Sequence, residues 1–211
     1  MGWERDEAKP AAEKDIWDQQ NEAMALWKTE AMRQAIKRLS SKQVYHGPIT
    51  VRVDQVQLPT GEQRDYTVVE YRPSVAIVPL FPDGRVLLIR QYRYVLQDWS
   101  LEVPGGMVAA GEDPPTTARR ELAEEGGYHP GQLEFLVRMQ PDVSMSTQVV
   151  TIYVATNLTK TQPHREPSEV LEVVMLDLAE ALERISRGEI TSAPTIIGLQ
   201  AVALARRTGR G

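Results

Sequence analysis

Gly106 to Tyr128 reads GMVAAGEDPPTTARRELAEEGGY, and the reading of these residues decides the fold. Asp113 suits an N-cap, and Pro114 suits the first helical position, where its missing N–H would be unpaired anyway. Gly126 and Gly127 suit a helix exit. The spacing therefore predicts a helix from about Pro114 to Glu125. On it Glu121, Glu124 and Glu125 stand at i, i+3 and i+4, so three carboxylates leave one face. Left alone they repel one another. A hard cation that takes oxygen ligands, Mg²⁺ before Ca²⁺ or a soft metal, would convert that repulsion into affinity. A solvated acidic helix face is the competing explanation, and E-x-x-E-E alone would favour it.

The wider register tips the balance. Gly106, five residues, Glu112, seven residues, Arg120-Glu121-Leu122, one residue, Glu124-Glu125, one residue, Gly127-Tyr128 resembles the Nudix box, G-x5-E-x7-R-E-U-x-E-E-x-G-U with U apolar. Every fixed position is present, and the one departure is Tyr128, where an aliphatic residue is commoner. The resemblance implies that Glu121, Glu124 and Glu125 hold one or more Mg²⁺ ions bridging a pyrophosphate, with Mn²⁺ as a substitute and a backbone carbonyl of Gly105 or Gly106 as a further ligand. It assigns Gly106, Glu112, Arg120 and Gly127 to the architecture of the box, with Glu112 and Arg120 paired between loop and helix, because an arginine cannot ligate a cation. Metals of this kind neutralise the diphosphate, polarise the attacked phosphorus and acidify a water, so no covalent intermediate is needed.

Working outward, residues 12 to 42 carry Ile16, Trp17, Met24, Trp27, Met32, Ile36 and Leu39 at helical intervals and contain no Pro or Gly; an amphipathic helix is predicted, its tryptophans packed on the body or a partner subunit. ITVRVDQVQL and DYTVVEYR alternate around Pro59-Thr60-Gly61 and predict two antiparallel strands. SVAIVPLF and RVLLIRQYRY flank Pro82-Asp83-Gly84 and predict a second hairpin, apolar enough to lie inside a sheet. LEFLVRM, QVVTIYVATN and LEVVML read as strands, LAEALERISRG as a helix ended by Gly188, and Ala193 to Arg206 as a last helix. Thr159 to Ser168, polar with two prolines, reads as an active-site loop. The expected fold class is α/β of Nudix type: a mixed β-sheet sandwiched between helices, with an N-terminal helix and antiparallel hairpin. The expected division is a helical extension over 1–43, a hairpin subdomain for dimerisation over 44–73, and a hydrolase domain over 74–207.

Beyond the box, LLIRQYRY, WSLEVPGG and ITSAPTIIGLQ resemble the ADP-ribose pyrophosphatase and nucleoside-diphosphate-sugar hydrolase branch of the family, from about Val44 to Leu204. That resemblance implies that Arg93, and more weakly Arg90, contacts substrate phosphates; the alternative is that Arg93 pairs with a nearby acid. Trp99 either walls the substrate site or packs under the glycine loop. Glu102 reaches the metal or a ribose, or else holds the loop by a hydrogen bond. In this branch an acidic loop before a late strand orients the attacking water, which makes Glu169, and otherwise Glu166, the catalytic carboxylate beside Glu125. QPDVSMSTQVV departs from the ADP-ribose-specific pattern: Gln148 stands where an acid is common, so the choice among nucleotide sugars stays open.

The absence of cysteine excludes disulfides, a thiolate nucleophile and a Cys-bound zinc site. The three histidines, His46, His129 and His164, show no ligand spacing. A net charge of −5 argues against nucleic acid as a partner, and no apolar run suggests a signal peptide or a membrane span. The expectation is a cytoplasmic homodimer that hydrolyses a nucleoside diphosphate sugar with Mg²⁺. The alternatives are a Nudix hydrolase of a dinucleoside polyphosphate, NADH or capped RNA, and a non-catalytic nucleotide-sugar sensor.

Overall fold

The computed structural model describes residues 36–163 and 170–208. They divide into two compact units, one of 36–44 with 52–67 and the other of 45–51 with the remaining residues from 68 onward.

β1 (Lys37–His46), β2 (Thr50–Gln57) and β3 (Gln63–Glu70) form a three-stranded sheet in the order β1-β2-β3. The helix predicted over 12–42 is thus corrected at its end, since Lys37 to Lys42 belong to β1; residues 12–35 lie outside the described residues. Ser40 and Ser41 compete for backbone hydrogen bonds in a helix, and Val44-Tyr45 favour an extended chain. Two strands were expected here and three are found. Between β2 and β3 the turn is closed by Leu58 and Gly61, with Gly61 at φ 87°. Asp54 is buried on β2, where Arg52 donates to it and Arg38 stands 3.8 Å away.

In the second unit β4 (Ser74–Pro79) is buried along its whole length and lies between β7 (Gly105–Met107) and β9 (Val150–Lys160). β8 (Tyr128–Met139) completes this four-stranded sheet, in which β4 runs parallel to β9 while the other pairs are antiparallel. A mixed sheet with a central, wholly buried strand needs cover on both faces. Along β4 alternate residues supply it: Ala76 and Val78 join one apolar cluster, with Leu199 and Val202, while Val75 and Ile77 join another, with Ala118 and Leu122. Ala118 lies on α1 (Pro114–Glu121) and Leu199 and Val202 on α3 (Ala193–Arg207), while α2 (Leu178–Ser186) adds Leu178 and Ala181 to the first cluster.

A second, antiparallel sheet has the order β10-β5-β6, from β5 (Arg85–Arg93), β6 (Asp98–Glu102) and β10 (Leu171–Asp177). Its Val86, Leu88 and Leu176 share the cluster that holds α2 and α3. The predicted hairpin of SVAIVPLF and RVLLIRQYRY is therefore corrected. Its turn exists, with Phe81 N–H donating to Arg85 and a single bridge between Leu80 and Val86, but the two strands part into different sheets. Both strands are apolar on both faces, and two layers bury four faces where one hairpin in one sheet would not.

Candidate active site

The entry to the acidic helix is built as its residues dictate. The Asp113 carboxylate accepts from Thr116 N–H at 2.8 Å, and Pro114 opens the helix. The exit differs from expectation. The α-helix stops at Glu121, and Leu122–Gly126 continue as a π-helical turn closed by Gly127 at φ 73°. A π turn widens the backbone and re-aims the side chains it carries, and such turns recur at functional sites. Glu124 and Glu125 sit on this wider turn, so they no longer share one α-helical stripe with Glu121. Leu122, fully buried, anchors the turn in the apolar cluster beneath β4.

Arg120 organises the carboxylates. Its Nε and one Nη donate to Glu112 at 3.2 Å, and the other Nη donates to Glu124 at 2.7 Å and stands 3.0 Å from Glu121. Glu112 also accepts from the Thr117 hydroxyl at 2.8 Å, so its contacts join the loop to the helix. The Arg120 hydrogen bonds, then that of Thr117, hold the Glu112 carboxyl below the usual range. The hydrogen bond to Glu112, with the charges of Glu121 and Glu124, pushes Arg120 above the ordinary arginine value despite partial burial. Glu125 is buried, and its Oε2 accepts from the Gly105 N–H at 2.8 Å.

The glycine pair is required by close approach. A Cβ at Gly105 would run into the backbone of Val75 and Ala76 on β4, and one at Gly106 would occupy the space of the Glu121 carboxylate. β7 thus pairs with β4 with its backbone close to that strand at Gly105 and to the Glu121 carboxylate at Gly106.

These groups line one cavity of about 910 Å³. Glu121, Glu124, Glu125 and Arg120 form one part of its wall; Gln91, Arg93 and Glu102 form another; Arg72, Ser74 and Gln148 also line it. Arg93 and Glu102 are joined by two hydrogen bonds of 2.9 and 2.6 Å. Burial pushes the Glu102 carboxyl up, but the Arg93 hydrogen bond and charge, with Ser100, outweigh it and hold the group below its ordinary value. Pairing with an acid is thus how Arg93 stands, and Glu102 serves it rather than the glycine loop.

Arg90 and Trp99 do not join them. Neither lines the cavity: the Arg90 guanidinium lies 4.6 Å from the centre of the Trp99 ring, which meets Tyr92 edge-on at 5.9 Å, and Arg90 also stands 3.6 Å from Glu172. Strand alternation separates Arg90 and Tyr92 from Gln91 and Arg93. Glu166 and Glu169 lie outside the described residues. Arg72, Ser74 and Gln91 escaped the sequence reading as site residues; for Gln91 the signal was available, two positions from Arg93 on the same strand.

The donor set of the acidic wall is all oxygen and triply anionic, which suits a hard divalent cation. Among the described residues no three acidic or histidine side chains close around an ion as they stand. Arg120 holds Glu121 and Glu124, and Gly105 N–H holds Glu125.

A cavity with one acidic wall behind a glycine turn and an arginine on another suits an enzyme of the class that acts on phosphate anhydrides with a divalent metal. Comparison with known proteins gives it a family. The NUDIX domain matches residues 70–196, and the nucleoside diphosphate sugar hydrolase N-terminal domain matches residues 36–69. The methanol dehydrogenase activator of Bacillus methanolicus is 30% identical over 171 residues, covering 80% of this chain and 92% of that protein. An ADP-ribose pyrophosphatase of Mycobacterium tuberculosis (strain ATCC 25618 / H37Rv) is 34% identical over 169 residues, 78% of this chain and 81% of that one. A crystal structure of an ADP compounds hydrolase superposes with a TM-score of 0.76 at 26% identity, over 84% of this chain and 98% of its own. The chain belongs to the Nudix family and is a pyrophosphohydrolase of that family. Nudix hydrolases generally use divalent metal cations.

Among the described residues no helix is long and apolar enough to cross a membrane.

Proposed function

We propose that the protein hydrolyses the pyrophosphate bond of a nucleoside diphosphate sugar, ADP-ribose or a related nucleotide sugar, to a nucleoside monophosphate and a sugar phosphate. Mg²⁺ is the proposed metal, with Mn²⁺ as a substitute. The observation that carries this reading is the meeting of the box carboxylates and the Arg93–Glu102 pair on one cavity of about 910 Å³, a size suited to a nucleotide with its sugar. The matched N-terminal domain and the ADP-ribose pyrophosphatase relative support the same substrate class.

Glu121, Glu124, Glu125 and the Gly105 carbonyl are the groups that would hold the metal. When bound, it supplies charge neutralisation on the diphosphate and acidifies a water. The chain does the rest. Arg120 holds Glu121 and Glu124 in place, and Gly105 N–H fixes one oxygen of Glu125. Arg93 and Glu102 act as a pre-paired unit on the substrate wall, where the carboxylate limits the rotamers of the guanidinium. Glu169, or Glu166, accepts the proton of the attacking water.

The functional unit is proposed to be a cytoplasmic homodimer formed through the N-terminal sheet. All ten residues of β1 are exposed, Val44 and Tyr45 among them, as is Tyr66 on β3; apolar side chains left in water on a short sheet favour burial against a second copy. Incubation with Mg²⁺ and ADP-ribose, ADP-glucose, GDP-mannose, UDP-glucose, a dinucleoside polyphosphate, NADH and capped RNA, followed by chromatography of the products, tests the activity. Release of a nucleoside monophosphate from a diphosphate sugar is expected. Turnover confined to the last three compounds, or none at all, would refute the substrate class.

A further inference from the structure

The cavity contains three arginines, and two of them are already spoken for. Arg120 neutralises the acidic wall, and Arg93 is forked onto Glu102. Arg72 is different: it lines the same cavity, its side chain is exposed, and among the described residues it makes no ion pair or side-chain hydrogen bond. Its backbone, by contrast, is held firmly. Tyr71 N–H donates to the Thr147 hydroxyl at 3.1 Å, the Pro73 carbonyl accepts from Val108 N–H at 2.8 Å, and Ser74 N–H donates to Val149 at 2.9 Å. A residue before proline is confined to extended conformations, so Arg72 has little backbone freedom left. The result is an uncommitted guanidinium on a rigid strut at the entrance to β4.

The charge balance gives that group a purpose. Counting the cavity's ionisable walls, Arg72, Arg93 and Arg120 face Glu102, Glu121, Glu124 and Glu125, one negative charge in excess. The metal proposed for the acidic wall offsets that excess on its own side, and Arg72 is the cavity arginine left outside the described ion pairs to meet a diphosphate. A guanidinium presents paired N–H donors that match two phosphate oxygens, which an ammonium does not.

We propose that Arg72 binds the diphosphate of the substrate and is a specificity-determining residue for it. The inference rests on the reading that this cavity takes a nucleoside diphosphate sugar. Arg72 contributes through charge-assisted hydrogen bonds made equally to bound substrate and transition state, so its loss is read in KM rather than in kcat.

The test compares wild type, Arg72→Gln and Arg72→Lys on the nucleotide sugar that wild type turns over, at two salt concentrations. Arg72→Gln is expected to raise KM about tenfold, the scale of a hydrogen bond to a charged group, to leave kcat within about twofold, and to weaken the salt dependence of KM. Arg72→Lys is expected to recover part of the loss. The thermal midpoint should not move, because the side chain is exposed and unpaired. An unchanged KM in Arg72→Gln, or a fall in kcat alone, overturns the proposal while leaving the activity standing. Wild type that turns over no nucleotide sugar refutes the substrate reading instead. Calorimetric binding of inorganic pyrophosphate with Mg²⁺ then decides for the residue: about tenfold weaker binding by Arg72→Gln supports it, and equal binding overturns it.

Discussion

Removing the Arg93–Glu102 pair should cost stability in a pH-dependent way, and the size of the effect follows from its surroundings. Two hydrogen bonds of 2.9 and 2.6 Å join the groups, with the Glu102 side chain 14% exposed and that of Arg93 41% exposed. Charge-assisted bonds contribute about 1.5–3 kcal/mol each when sheltered. The exposure of Arg93 lets solvent screen the pair, which reduces the coupling to about 1–2 kcal/mol in total. At about 2–4 °C per kcal/mol for a chain of this size, Glu102→Gln should lower the midpoint by roughly 2–8 °C at pH 7. A double-mutant cycle with Arg93→Met isolates the coupling. The sign with pH is fixed by the depressed Glu102 carboxyl. Its contribution is complete above the ordinary value of 4.5 and is lost as pH falls through the lower folded value. The Glu102→Gln penalty should therefore fade in acid. In Arg93→Met, burial acts without its counterweight, and the Glu102 resonance followed by carbon NMR should titrate higher than in wild type. A coupling below about 0.3 kcal/mol, the ordinary error of additivity, or a penalty unchanged in acid, would refute the argument.

Three further outcomes are expected. Glu124→Gln should reduce kcat at least a hundredfold, on the scale of losing electrostatic stabilisation at the reacting centre, with the thermal midpoint nearly unchanged; full Mg²⁺-dependent turnover by the variant would sink the assignment of the acidic wall. Chelation by EDTA should abolish activity and Mg²⁺ should restore it, whereas activity that survives exhaustive chelation would contradict the metal requirement. Leu122→Ala removes a wholly buried side chain from the foot of the π turn, so chemical denaturation should show a loss of about 2–5 kcal/mol, and a loss below about 1 kcal/mol would show that the turn is held by something else.

Much of the fold was legible because its signals are local. Asp113-Pro114 start a helix by capping and by a missing donor, Gly188 at φ 74° ends α2, and the apolar run of β4 announces a strand covered on both faces. What stayed illegible depends on partners distant in sequence. Nothing within residues 74–93 says that β4 pairs with β7 and β9 while β5 pairs with β6 and β10. The short turn between them is compatible with one sheet or with two. Residues 37–42 show a related limit, for Ile36 and Leu39 fit a helical interval, yet pairing with β2 draws the segment into a strand.

The site divides along the same line. The pairing of Glu112 with Arg120 was implied by the resemblance to the box, and in the structure Arg120 donates to Glu112 from the helix. The fate of Arg90 and Arg93 could also have been worked out, since residues three apart on a strand face opposite sides. Only one of the two can share the Gln91 face, and Glu102 settles which, because β6 carries it back beside β5. The π turn was beyond reach, as E-x-x-E-E fits an α-helical stripe equally well. It matters most for chemistry: a single α-helical face would crowd three carboxylates together, whereas the wider turn leaves Glu124 on Arg120 and sends Glu125 inward to Gly105. The self-repulsion inferred from the sequence is thus relieved by geometry and by one arginine, so on the proposed ligand set a metal would compete with Arg120 for Glu121 and Glu124. Metal affinity should consequently rise when Arg120 is replaced by glutamine, even as the fold loses the clasp to Glu112.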